Sequence, residues 1–184
     1  MKRVFNSARI FAIFIIIVFL SLFVSSDVWA NDSADAFMSL TFGLPVARTQ
    51  RRMENSGAVA FDFPREGRLA MKGTFENRSA IFIFGFGRRG GLNHKSAFIA
   101  SSGNAATDRS LYEAFREAYN IRFGRTNERA IPNRRVRGRI AFQNSWRPNR
   151  DTTITLFYDP EITNRFPSDS TGERPIHLIY NYTR

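Results

Sequence analysis

Apolar and polar residues alternate along several short segments of the chain, which is typical of half-buried β-strands. This alternation predicts a hairpin formed by residues 59–63 and 69–75, with a turn at residues 64–67 between them. Residues 80–86 are apolar at nearly every position, so we expect a strand inside the sheet that is covered on both faces. Further strands are predicted at residues 96–100, 135–143, 152–158 and 176–182.

Residues 31–56 have a less regular pattern. Their one apolar cluster lies between Phe37 and Leu44 and is followed by arginines. We expect a short first strand or an extended arm there.

One segment has the periodicity of a helix. Its apolar stripe comprises Leu111, Ala114, Phe115, Ala118 and Tyr119. Ser110 and Glu113 have the spacing of a capping box, and Asp108 adds negative charge near the same end. Because Gly124 is a favourable helix end, the sequence predicts one main helix near residues 108–123.

These elements together predict an α+β fold, in which a mostly antiparallel sheet of about seven strands packs against the main helix. The chain has 184 residues, a length that fits one globular domain better than two.

The first thirty residues follow the pattern of a secretory signal peptide. Lys2, Arg3 and Arg9 precede the apolar run Ile10–Val24, and Val28-Trp29-Ala30 has the small residues of a cleavage site. The alternative is an uncleaved anchor, but a run of 15 residues is short of the roughly 20 that span a bilayer. We expect cleavage after Ala30, which leaves residues 31–184 as a single periplasmic or secreted α+β domain.

Composition excludes several classes of protein. The 19 phenylalanines and an apolar fraction of 43% exclude an intrinsically disordered chain. The absence of cysteine excludes a disulfide scaffold and thiol-based catalysis. Lysine and arginine number 27 against 16 acidic residues, a formal net charge of +11 that favours an anionic partner.

The positive charge is concentrated between Arg122 and Arg150, where nine arginines are opposed only by Glu128. Alternate residues of a strand share one face, so three arginines of the predicted strand 135–143 would stand in a row and bind a chain of oxyanions. The predicted anion-binding residues are Arg134, Arg135, Arg137, Arg139, Arg147, Arg150, Arg88 and Arg89. We expect Lys95 to extend this basic surface.

The charge pattern leaves three functions open. The first is an exported binding protein that recognises an anionic polymer or surface, such as lipopolysaccharide, an acidic glycan or nucleic acid. The second is a small secreted RNA-directed toxin or enzyme that uses the same arginines for phosphate contacts. The third is a structural cell-envelope protein that binds an acidic protein partner.

Candidate catalytic residues are few. His177 with Glu113 could serve as the acid and base of a metal-independent RNA hydrolase. The two histidines, His94 and His177, lack metal-ligand spacing, so the sequence predicts no metal site. Residues 85–90 match the dinucleotide-binding fingerprint, but a strand pattern follows instead of the required helix; we expect a wide hairpin turn and no cofactor.

Two short motifs invite comparison with known enzymes. Glu113-Ala114-Phe115-Arg116 and Asn144-Ser145-Trp146 resemble elements of ribosome-inactivating N-glycosidases, in which the glutamate and arginine act on an adenine of ribosomal RNA. That family also has two adenine-stacking tyrosines well upstream of the glutamate, whereas the first tyrosine here is Tyr112. A role of Glu113 in helix capping accounts for the glutamate more simply.

Overall fold

A computed structural model describes residues 33–62, 67–132, 140–161 and 174–183. The predicted signal peptide, residues 1–30, lies outside the described residues. The described elements in chain order are α1 (Ser33–Ser39), α2 (Val46–Glu54), β1 (Val59–Phe61), β2 (Arg68–Phe75), β3 (Arg78–Phe86), β4 (Leu92–Ile99), α3 (Ala105–Phe123), β5 (Arg129–Pro132), β6 (Ile140–Asn149), β7 (Thr152–Tyr158) and β8 (Ile176–Tyr182).

All described strands form one antiparallel sheet in the order β1-β2-β3-β4-β8-β7-β6-β5. Strands β1 to β4 are a meander, and α3 carries the chain across the sheet to β5 at the far edge. The second meander then returns, so that β8 pairs with β4 through His94↔Asn181 and Ile99↔Ile176. The predicted α+β, mostly antiparallel fold is confirmed, and β5 brings the described strands to eight where about seven were expected.

The core lies on one face of the sheet, beneath the helices. Phe82 and Phe84 of β3 and Leu178 of β8 are fully buried there, together with Tyr112 of α3 and Phe37 of α1. Residues of β3 that point to the opposite face, Ile81 and Ile83, are also less than a tenth exposed. The expectation that residues 80–86 form a strand buried on both faces is therefore confirmed.

The predicted strand or extended arm within residues 31–56 is wrong, because two helices lie there. In α1 the buried residues Ala34 and Phe37 are three positions apart, and in α2 Thr49 and Met53 are four apart. This is helical spacing, but each helix shows it only once or twice, too few repeats for a periodicity to be visible.

The main helix is confirmed, but its predicted capping box is wrong. The helix begins earlier, at Ala105, because the Asn104 side chain accepts hydrogen bonds from the backbone N–H of Ala106 and Thr107 at 2.9 and 3.2 Å. Ser110 lies one turn inside and donates to the carbonyl of Ala106. The other end is as expected: Gly124 has φ = +90°, a conformation that favours glycine.

Candidate functional site

Two turns and a helix end meet at one end of the sheet, which we call the basic end. The strand pairings His94↔Asn181 and Thr153↔Asn181 place the β3–β4 turn and the β6–β7 turn at the same end. Helix α3 starts at the opposite end, where the carbonyl of Ala105 accepts a hydrogen bond from Tyr158, and therefore finishes near this one. The arginines of the basic end are Arg88, Arg89, Arg122, Arg125, Arg147 and Arg150.

A groove of about 690 Å³ opens beside β6, between β7 and the loop that follows α3. We call it the α3–β6 groove. Its described lining residues are Phe123, Thr126, Asn127, Arg129, Gln143, Ser145, Trp146, Arg147, Thr153 and Thr155. Two are arginines, six are uncharged hydrogen-bonding residues, two are aromatic, and none carries a carboxylate. An anion that enters this groove therefore meets positive charge and hydrogen-bond donors from the described residues.

Hydrogen bonds hold the loop at 124–128, which forms one wall of the groove. The side-chain oxygen of Asn120 accepts from the backbone N–H of Thr126 at 3.2 Å and from the indole N–H of Trp146 at 3.1 Å. The side-chain amide of Asn144 donates to the hydroxyl of Thr126 at 3.0 Å. The loop is thus fixed both to α3 and to β6, so the groove is largely formed before any ligand binds.

Glu128 anchors the far end of the same loop. The hydroxyl of Tyr112 donates to its carboxylate at 2.8 Å and lies 2.6 Å from the side-chain oxygen of Asn144. Arg109 and Arg116 pair with the Glu128 carboxylate, each at 3.3 Å. Burial and the neighbouring Glu128 raise the pKa of Tyr112, so its hydroxyl keeps its proton for these contacts.

Replacement of Tyr112 with phenylalanine is expected to lower the free energy of unfolding by about 1–2 kcal/mol, because the partly buried Glu128 carboxylate loses the proton that the hydroxyl donates and the buried Asn144 side chain loses a polar neighbour. Denaturant titration measures this loss. The matched control is Tyr182→Phe, which removes the hydroxyl of a half-buried tyrosine that stacks on Phe42 and makes no hydrogen bond among the described residues. Equal losses in the two variants would contradict the anchoring role of Tyr112.

Hydroxyl and amide groups form a ladder across the groove face of β6 and β7. The amide of Gln143 donates to the Ser145 hydroxyl at 3.0 Å, and Ser145 lies 3.3 Å from the hydroxyl of Thr155 across the strand pair. Thr153 is two positions from Thr155 and so shares its face of β7. The ladder presents several groups that both donate and accept hydrogen bonds.

Four of the described arginines are held by partners within the protein. Arg78 pairs with Asp108 at 2.6 Å, Arg109 and Arg116 pair with Glu128, and the buried Arg174 donates to the carbonyl of Ser79 at 2.9 Å. By contrast, the arginines of the basic end and the groove make no ion pair with any carboxylate in the part of the chain that the structure describes.

The structure describes four of the eight predicted anion-binding residues. Arg147 lines the groove, and Arg150, Arg88 and Arg89 are exposed in the two turns of the basic end. The predicted row of arginines (Arg135, Arg137 and Arg139) lies outside the described residues, and so does Arg134.

Lys95 was expected to extend the basic surface, and that expectation is wrong. Its side chain is 3% exposed, because β4 already begins at Leu92 and the lysine points into the core between helix and sheet. Arg129 lines the groove but was not among the predicted anion-binding residues. Its position opposite Gln143 depends on the β5–β6 pairing, which strand alternation alone does not reveal.

The structure does not bring the two candidate catalytic residues together. Glu113 lies on α3, on the core side of the sheet, and pairs with Arg109 and Arg116. His177 alternates on β8 with core residues and so points to the opposite face, between the rings of Phe98 and Phe157. The sheet therefore separates the two side chains.

The structure shows where the fingerprint-like segment and the Asn144-Ser145-Trp146 motif lie. The fingerprint-like segment 85–90 contributes to the turn between β3 and β4, in which the N–H of Gly87 donates to the carbonyl of Gly91 at 2.8 Å. Asn144 and Trp146 lie on β6 and contact α3 through Tyr112 and Tyr119. Within the described ranges no cluster of side chains could hold a metal ion, and no helix is long and apolar enough to span a membrane.

Comparison of the chain with protein-family models, with curated proteins and with solved structures finds no significant match.

Proposed function

We propose that the chain is an exported binding protein that recognises an anionic polymer or surface through arginines of the α3–β6 groove and the basic end. The observation that supports this proposal is a groove lined by two arginines and by no carboxylate among its described residues. The two are Arg129 and Arg147. By contrast, Arg78, Arg109 and Arg116 pair with carboxylates of the protein.

Guanidinium chemistry fits this proposal. Each arginine presents a planar fork of donors that binds phosphate, sulfate or carboxylate through two parallel hydrogen bonds. Arg129 and Arg147 are both at the groove, and Arg150 lies three residues beyond Arg147 in the β6–β7 turn. A ligand with repeated negative charge would contact several of them at once. The arginines at 134–139 remain predicted contacts of the same ligand.

The test measures binding of the purified chain to immobilised RNA, lipopolysaccharide, acidic polysaccharide and anionic vesicles at low and physiological salt. The double variant Arg129→Gln/Arg147→Gln is expected to bind the preferred ligand about tenfold more weakly, and the slope of log affinity against log salt is expected to fall by about two. Both effects arise because each arginine that contacts the anion releases about one counterion.

The matched control is Arg48→Gln/Arg51→Gln. It removes the same charge from two exposed positions of α2, away from the groove lining. We expect this control to retain most of the affinity of the original chain. Equal losses in the two double variants would mean that binding responds only to net charge, and the proposal would then be wrong.

A further inference from the structure

We infer that the ligand of the α3–β6 groove is an acidic glycan: a chain of sugars that carry carboxylate or sulfate groups. This inference rests on the proposed function and goes further, because it selects one ligand class from those that the charge alone leaves open. The chemistry of the groove lining carries it.

The groove contains more neutral hydrogen-bonding groups than charges. Four hydroxyl side chains and two amide side chains line it beside only two arginines. Hydroxyl and amide side chains both donate and accept hydrogen bonds, as sugar hydroxyls do. Phosphate oxygens only accept hydrogen bonds, so a phosphate chain could use the donors of the groove but not the acceptor atoms of its hydroxyl and amide side chains, such as that of Thr153. A sugar with an acidic substituent matches both parts of the lining.

The aromatic residues of the groove argue against a nucleic-acid ligand. Proteins that bind single strands stack bases on exposed aromatic rings. Trp146 is only 2% exposed, and its indole N–H already donates to Asn120. Phe123 is half-buried and stacks on Tyr119, with ring centroids 5.9 Å apart. The described lining therefore has no free platform of the kind that bases use.

The edge of β6 argues against an extended peptide. Strand β5 pairs only with residues 140–143 of β6, which leaves the outer edge beyond Gln143 without a strand partner among the described residues. This edge carries Arg147, Pro148 and an irregularity between Trp146 and Asn149. A charge, a proline and a bulge are the features by which natural sheets prevent another strand from pairing.

The size and support of the groove suit an oligosaccharide. Its volume of about 690 Å³ lies within the range of about 300–1,000 Å³ that small-molecule sites occupy. Ser145 and Thr155 face each other on paired strands, so their hydroxyls are held by the sheet and little order has to be gained on binding.

Calorimetry with the full chain tests this inference against five probes: an oligogalacturonate, its neutral methyl ester, a sulfated heparin oligosaccharide, a single-stranded RNA homopolymer and lipopolysaccharide. We expect one or both acidic sugars to bind at physiological salt. The methyl ester and the RNA are expected to bind at least tenfold more weakly. The two acidic sugars distinguish carboxylate from sulfate as the anionic group.

The double variant Thr153→Val/Thr155→Val removes two groove hydroxyls with almost no change in side-chain volume. It is expected to bind the acidic sugar about tenfold more weakly, with an unchanged salt slope, because it loses neutral hydrogen bonds and no charge. Thr74→Val, at an exposed position of β2, is the control and should bind like the original chain. Thermal unfolding verifies that all variants are folded.

Three outcomes would overturn the inference. They are tighter binding of RNA or lipopolysaccharide than of either acidic sugar, equal binding of the methyl ester, and equal affinities of the threonine variant and its control. The proposed function survives the first and third of these if Arg129→Gln/Arg147→Gln still weakens binding of an anion. If that arginine variant binds every anionic probe like the original chain, the proposed function fails as well.

Discussion

Replacement of Lys95 with methionine is expected to lower the free energy of unfolding by about 3 kcal/mol, one of the largest effects of any single side chain in the fold. The ammonium group of Lys95 donates three hydrogen bonds, to the carbonyls of Phe37, Met38 and Leu40 at 2.8, 3.1 and 2.9 Å. These carbonyls belong to the last turn of α1 and the residue that follows it. Methionine fills similar space but donates nothing, so buried acceptors are left without partners.

The position of Lys95 explains why its charge is tolerated inside the protein. Burial lowers the pKa of Lys95 to about 8, which leaves the ammonium protonated at neutral pH. The charge lies at the carbonyl end of α1, where a cation is favoured, and 4.7 Å from the centre of the Tyr180 ring. One side chain thus joins α1 to the middle of the sheet.

Denaturant titration of the Lys95→Met variant measures this effect, with an unchanged dependence on denaturant as the sign that the same structure unfolds. Lys72→Met is the matched control. Lys72 is half-buried on β2 and lies 5.3 Å from the centre of the Phe61 ring, so its replacement is expected to cost clearly less than that of the buried Lys95. A Lys95→Met variant as stable as this control would show that the three carbonyls find other partners.

Local patterns predicted most of the strands, because alternation is set by which side chains are buried, but they missed β5, and β6 extends to Asn149 where the predicted strand ended at residue 143. The predicted strands 152–158 and 176–182 match β7 and β8 at both ends. The same reasoning failed for Lys95: a single lysine near a glycine-rich turn looks like a surface residue from its neighbours alone. Its burial depends on the carbonyls of α1, which lie more than fifty residues earlier in the chain.

The groove could be predicted only in part, for a related reason. Arg147 was expected to bind anions because it lies in an arginine-rich segment, and it does line the groove. Arg129 lies in the same segment, but its place beside Gln143 follows from the pairing of β5 with β6. The polar ladder of Ser145 and Thr155 likewise needs the β6–β7 register. Side-chain chemistry is readable from sequence, whereas contacts between distant residues depend on how the strands pair.

Acidification of the protein from about pH 6.5 to about pH 4 is expected to lower its free energy of unfolding by about 3 kcal/mol through His177 alone. Burial lowers the pKa of His177 from 6.5 to about 4, since the imidazole lies between the rings of Phe98 and Phe157. The folded protein therefore binds fewer protons than the unfolded chain within this pH range. Stability is highest above pH 6.5 and falls as the unfolded chain takes up the proton.

Denaturant titrations across this pH range separate His177 from the carboxylates that titrate with it. In the His177→Phe variant the aromatic packing is retained and the titrating group is lost, so its stability should fall much less steeply between pH 6.5 and 4 than that of the original chain. His94→Gln is the control. His94 is less buried than His177, and its Nδ1 forms a hydrogen bond of 2.7 Å with the side-chain oxygen of Asn181. The free energy of unfolding of this variant should therefore still fall steeply between pH 6.5 and 4. If the free energy of unfolding of the His177→Phe variant falls with pH as steeply as that of the original chain, the acid sensitivity comes from groups other than His177.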